Sequence, residues 1–149
     1  MTDVRPFRPT DADGVAALCR ELGWPSFSDP AVAARACTAP GVVAWVAVER
    51  DGPVERDGRV DRDESVERVV AFAQAFGDGV VQSYLAQLGV AATHRRHGVG
   101  RRLVEAVFAA SGTQRIDLVT DDAQDFYRSF AHREKPGFRL YPDAPRPRA

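Results

Sequence analysis

The densest chemistry in the chain lies in one short run, Arg95-Arg96-His97-Gly98-Val99-Gly100-Arg101-Arg102. It follows the stretch Val80–Val90 and opens onto Val99, Leu103, Ala106, Val107 and Ala110, which recur with helical period. A strand ends, a turn follows and a helix begins. The first N–H groups of such a helix have no partner within it, and its dipole favours an anion there. Glycine at 98 and 100 removes Cβ atoms that would hold a phosphate off the backbone. Flanking arginines add charged hydrogen bonds. The pattern reads as a phosphate or pyrophosphate cradle. The competing reading is an ordinary helix start with solvated arginines. Gly89 weighs against it, because a glycine inside a regular strand marks a bulge or a close backbone approach.

Two phosphate motifs are excluded by spacing. A P-loop needs Lys-Ser/Thr after its second glycine, and none follows Gly100. A dinucleotide fingerprint needs Gly-x-Gly-x-x-Gly after the first strand of a βαβ unit, whereas here arginine follows Gly100 and a hairpin array precedes it. Tyr127 lies in the short helical stretch Asp122–Phe130, where its ring could pack beside Phe126 and Phe130.

These groups need a scaffold. Thr10 and Asp13 resemble a capping box ahead of a helix carrying Val15, Leu18, Cys19 and Leu22, with Gly23 ending it. Asp29-Pro30 starts a second helix that stops before Pro40. Strands are expected at Val42–Val48, Val69–Phe76, Val80–Val90, Arg115–Thr120 and Gly137–Tyr141. Along Val80–Val90, strict alternation puts Ser83, Leu85, Gln87 and Gly89 on one face and Gln82, Tyr84, Ala86, Leu88 and Val90 on the other. Residues 51–68 hold a six-residue repeat with seven acids and four arginines, read as a duplicated hairpin loop in preference to a stacked β-helix. The element order gives a mixed α/β (α+β) domain over residues 1–142, with a Pro-rich tail at 143–149.

In that order the chain resembles the GNAT N-acetyltransferases over nearly its whole length. The most specific parts are Arg95–Gly100 after the strand ending Leu88-Gly89-Val90, and Ala123-Gln124-Asp125-Phe126-Tyr127. The resemblance implies a central, mostly antiparallel sheet, flanked by helices and splayed at the strand that binds acetyl-CoA. It gives the pantetheine arm to the backbone of Leu88, Gly89 and Val90. The pyrophosphate falls to the turn Arg95, Arg96, His97, Gly98, Val99, Gly100 and Arg101. It makes Tyr127 the acid for the departing thiolate and the N–H of Val90 the oxyanion donor. Thr120 stands where the family often has asparagine, and Ala131-His132 where Gly-Phe usually follows the tyrosine helix.

The acceptor is expected to be a primary amine of a small molecule or a protein, with Trp24, Phe27 and Tyr84 facing it. Those aromatics could equally close the core. No carboxylate lies on Val80–Val90, so the base is open among Glu21, Asp121, Asp122 and His132. A non-catalytic acyl-CoA-binding module is the alternative. An RNA-directed protein is weaker, because no aromatic platform interleaves the arginines.

Composition bounds the rest. The 149 residues carry 20 basic against 21 acidic side chains, which speaks against nucleic acid as partner. No apolar run approaches the length of a membrane span. Two cysteines are too few for a disulfide scaffold. A cytoplasmic protein is expected, with no metal and with a homodimer left open.

Overall fold

The computed structural model describes residues 1–50, 54–56, 59–61 and 67–142. The chain divides into two compact units, Met1–Asp117 and Leu118–Ala149. The first contains β1 (Thr2–Pro6), α1 (Ala12–Leu22), α2 (Pro30–Thr38), β2 (Val42–Arg50), β3 (Val54–Arg56), β4 (Arg59–Asp61), β5 (Glu67–Gly77), β6 (Gln82–Val90), α3 (Val99–Ser111) and β7 (Arg115–Asp117). The second contains α4 (Gln124–Arg128).

The five-stranded sheet runs β1-β2-β5-β6-β7. Its pairs are antiparallel except β6 with β7, which run parallel for three residues, Gln82–Tyr84 against Arg115–Asp117. Central β5 is buried without interruption from Val69 to Ala75, so both its faces are covered. Helices α1 and α3 both pack on it. Phe72 meets the rings of Trp24 and Phe27, and Gln74 donates to the Ala36 carbonyl of α2, so these two side chains mark the α1/α2 face. The expected mixed α/β domain, mostly antiparallel and flanked by helices, is what the chain forms.

Local signals held where the chemistry was local. Asp29 accepts the Ala31 N–H at 2.8 Å with Pro30 in the first turn, and Gly23 ends α1 at φ 73°. At the start of α1 the expected Thr10/Asp13 box is replaced. A 3-10 turn at Pro9–Asp11 precedes the helix, and Asp11 accepts the Arg8 N–H and both guanidinium arms of Arg5. Cys19 and Cys37 are free and buried.

Several expectations need correction. The strand at 115–120 stops at Asp117, and the helix at 122–130 is reduced to Gln124–Arg128. Gly137–Tyr141 forms no strand, and Phe138 and Leu140 are 88% and 84% exposed. Alternation alone does not make a strand without a neighbouring backbone to bond, and Pro136 offers no N–H. Within the charged repeat β3 and β4 pair antiparallel, unlike the turns of a β-helix. Residues 51–53, 57–58, 62–66 and the tail 143–149 lie outside the described residues. No helix among the described residues is long and apolar enough to cross a membrane.

The correction that matters most is in β6. Gln74 faces Gln87 and Ala75 faces Leu85, so Ala86 is an extra residue in β6 and the strand bulges there. Directly opposed residues share a face. Gln87 and Gly89 therefore lie with Gln74 and Phe72 on the α1/α2 face, while Leu85 and Ser83 lie on the other. The strict alternation predicted for Val80–Val90 is broken by that bulge.

Candidate functional site

The site is built where β6 passes into α3. Ala91 N–H donates to the Val70 carbonyl at 2.8 Å across the Ala71–Val90 pair. The alternation of an antiparallel ladder then turns the N–H and C=O of Leu88 and Val90 away from β5. On that outer side β7 pairs only with Gln82–Tyr84, so from Leu85 onward no described strand covers the edge. The sheet opens there. Val90 O accepts the Nε–H of Arg95 at 3.2 Å, and the N–H groups of Leu88 and Val90 face outward on this edge.

The connecting turn is short and contorted. Ala92–His94 is one 3-10 turn, Arg95 is extended, and Arg96 and Gly98 both take positive φ, 63° and 77°. Gly98 is the N-cap of α3 and supplies no side-chain acceptor; the first bond of the helix is Arg102 N–H to Gly98 O at 3.1 Å. The N–H groups of Val99, Gly100 and Arg101 therefore form the uncapped first turn. A Cβ built on Gly98 would meet nothing within 4 Å, so this glycine borders open space. The fit to a diphosphate is good: converging N–H donors, an open approach, and a positive helix end.

The arginines are not equivalent. Arg96 and His97 are exposed beside the cradle. Arg95 is tied to β6, Arg101 lies 3.5 Å from Glu105, and Arg102 donates to the Thr2 carbonyl at 3.1 Å. His94 lies 3.3 Å from Glu49, which Arg68 also contacts at 3.0 Å. Arg68 and then His94 hold the Glu49 carboxyl below its usual range.

Gly89 has a different neighbourhood. A Cβ there would come 2.8 Å from Leu22 Cδ1, 3.2 Å from Trp24 and 3.3 Å from Phe72. Of the two meanings of a glycine in mid-strand, close approach applies at Gly89, while the bulge sits at Ala86. Phe27 is buried against Phe72, 5.8 Å between centroids, so its ring belongs to the core. Trp24 is half-buried with its edge to Phe72, and Tyr84 packs on Phe76 at 5.6 Å. Tyr84 and Gln87 share the α1/α2 face. A cavity of about 220 Å³ lined by Gly41, Phe76, Gly77 and Ser111 lies by the C-terminal end of α3, at the opposite end of that helix from the cradle.

In the second unit, Tyr127 lies on α4 with its ring 4.9 Å from Phe126, whose other neighbour is Phe130. Burial pushes its phenol up to about 12. Thr120, in the place of the expected asparagine, accepts the Ala123 N–H at 3.1 Å and so shapes the turn into α4. His132 contacts the Phe130 carbonyl through Nδ1 at 2.8 Å. Sequence reasoning missed His94 and Glu49. Their positions, 45 residues apart in the numbering, carry no local signal of contact. Among the described residues no His/Cys/Asp/Glu group that could hold a metal is found.

Residues 40–131 match the model of the acetyltransferase (GNAT) domain family. No curated protein matches the chain. Solved structures share its fold at low identity. One is a Trypanosoma brucei acetyltransferase, 17% identical, with TM-score 0.66 and coverage of 95% of this chain and 99% of that one. Another is the aminoglycoside acetyltransferase AAC(6')-Iy in complex with a bisubstrate analog, CoA-S-monomethyl-acetylneamine. It is 18% identical, with TM-score 0.67 and coverage of 97% and 99%. A third is a GNAT family acetyltransferase from Streptococcus pneumoniae, 18% identical, with TM-score 0.65 and coverage of 97% and 100%.

Proposed function

Because the chain belongs to the GNAT acetyltransferase family, we propose that it transfers the acetyl group of acetyl-CoA to a primary amine by direct attack. The observation that carries this reading is the junction of an uncapped helix start with an unpaired strand edge, Leu88 and Val90 leading to Val99–Arg101. A long ligand with an anionic middle and an amide-bearing arm fits such a junction.

When bound, acetyl-CoA supplies an acetyl group activated as a thioester. The N–H groups of the Arg96–Arg101 segment hold the diphosphate, helped by the charge of the exposed Arg96. Leu88 and Val90 offer the arm an edge to pair with, much as an added strand would. The Val90 N–H, turned away from β5, would donate to the developing oxyanion, a donor whose loss typically costs about 3 kcal/mol. Tyr127, pushed up to about 12, keeps its proton throughout the neutral range, and the family resemblance gives it the role of donating that proton from the phenol oxygen to the leaving sulfur. Tyr84 and Gln87, together on the α1/α2 face, line the acceptor side with Trp24. The likeness to an aminoglycoside acetyltransferase makes small polyamines and amino sugars the first acceptors to try.

Calorimetric titration with acetyl-CoA, followed by thiol release with an amine panel, tests the reading. Binding in the micromolar range with amine-dependent thiol release is expected. Binding without turnover on any amine would identify a non-catalytic acyl-CoA module instead, and no binding at tens of micromolar would refute both.

A further inference from the structure

The cradle turn has few bonds of its own. Its described backbone bonds are His94 N–H to Ala91 O at 2.9 Å and Arg95 N–H to Ala92 O at 3.5 Å, before α3 begins. Yet it carries two positive-φ residues, Arg96 and Gly98, and must present the helix N–H groups in a fixed place. Something outside the turn has to hold it.

Two side chains reach out from either side of the cradle to the same spot. His94, just before it, points Nε2 at Glu49 Oε2, 3.3 Å away, and its side chain is only 14% exposed. Arg102, just after it, donates to the carbonyl of Thr2 at 3.1 Å. Thr2 and Glu49 are direct partners in the β1–β2 ladder. Arg68 of β5 donates to the same Glu49 oxygen, Oε2, at 3.0 Å. Thr93 Oγ1 lies 2.8 Å from His94 Nδ1, so both ring nitrogens of His94 have a polar partner.

We propose that Glu49 and His94 form a clamp that positions the pyrophosphate-binding turn, with Arg102 on Thr2 as its second anchor. This rests on the acetyl-CoA reading above. His94 is a positioning residue: it acts through the turn and needs no contact with the ligand. Nothing local in the sequence pairs residues 49 and 94, and the clamp exists because β2 ends beside the β6–α3 turn.

The test uses His94→Ala, Glu49→Ala, the double variant and His94→Gln. Each is measured for acetyl-CoA affinity, for amide hydrogen exchange at residue 94 and Arg102, whose N–H groups bond Ala91 O and Gly98 O, and for thermal midpoint. His94→Ala is expected to weaken acetyl-CoA about tenfold, the scale of one hydrogen bond to a charged group. Exchange at residue 94 and Arg102 should rise without ligand, while β5 amides stay protected. Glu49→Ala should match it, and the double variant should add little. His94→Gln, whose side-chain amide can still donate to Glu49, should regain most of the affinity. Unchanged affinity and exchange in His94→Ala would overturn the clamp, as would a uniform rise in exchange across β2 and β5, which marks general destabilisation. If the unmutated protein binds no acetyl-CoA, the parent reading fails first, visibly and before any variant is compared, and the clamp falls with it.

Discussion

Gly89→Ala and Gly98→Ala add the same methyl group at two glycines of one strand–turn–helix, and they should fail in opposite ways. At position 89 the new Cβ would sit 2.8 Å from Leu22 Cδ1, 3.2 Å from Trp24 and 3.3 Å from Phe72. Leu22 can swing its end away. The two rings are packed edge to face at 6.3 Å, and Phe72 is fully enclosed, so they yield less. Overpacking of this kind costs about 1–3 kcal/mol, which lowers the midpoint by roughly 3–10 °C for a chain of this size. At position 98 there is no clash, and the cost is only that of a side chain at φ 77°, about 1 kcal/mol. There the methyl group enters the open space beside the uncapped helix start, where the proposed diphosphate would lie. Circular dichroism gives the midpoints, and acetyl-CoA calorimetry well below them gives affinity. Gly89→Ala should bind within about twofold of the unmutated protein despite the larger loss of stability. Gly98→Ala should lose at least about tenfold in affinity, or roughly 1.4 kcal/mol, for the smaller stability loss. Intact binding by Gly98→Ala, or weakened binding by a fully stable Gly89→Ala, would show that the cradle has been misplaced.

Two further outcomes follow from the titrating groups. Tyr127→Phe should lower the rate of thiol release by about a hundredfold with little change in acetyl-CoA affinity. Because burial holds the phenol up to about 12, the unmutated rate should show no loss from tyrosine ionisation between neutrality and pH 10; equal rates for both proteins would remove Tyr127 as the acid. Asp11 is the second case. Burial alone would raise its carboxyl, but the Arg5 guanidinium and the Arg8 N–H outweigh that and hold it below the usual range; Glu67 is held down mainly by Arg5. Carboxyls depressed in the folded state stabilise it above their unfolded values near 4, and that gain is lost as pH falls through the folded values. Urea midpoints should therefore drop steeply below about pH 4. Asp11→Asn should cost about 1–3 kcal/mol at neutral pH and flatten that acid slope, and an unchanged slope would count against the Arg5 network.

Much of this molecule was legible where cause and effect are close in the chain. The helix opening after Gly98, the N-cap at Asp29, the end of α1 at Gly23 and the run of β strands all follow from residues within one or two turns of each other. Local reading misled where a remote partner decides. Asp11 took the place of Thr10 because Arg5, on β1, lies within reach of it. Gly137–Tyr141 has the alternation of a strand and no strand to join.

The sequence by itself determined that a strand–turn–helix has Gly98 at its turn and a helix start just after it, because helix ends and glycine sterics are properties of a few consecutive residues. Only the tertiary structure decided which way β6 faces and what steadies the turn. The extra residue at Ala86 shows only against Gln74 across the ladder, and it puts Gln87 and Gly89 on the α1/α2 face and Ser83 and Leu85 on the other. Glu49 and His94 meet only because β2 and the end of β6 are brought together through β5. A strand's face depends on its register with a neighbour, and an ion pair between strands depends on the order of the sheet. Neither is written in any one segment.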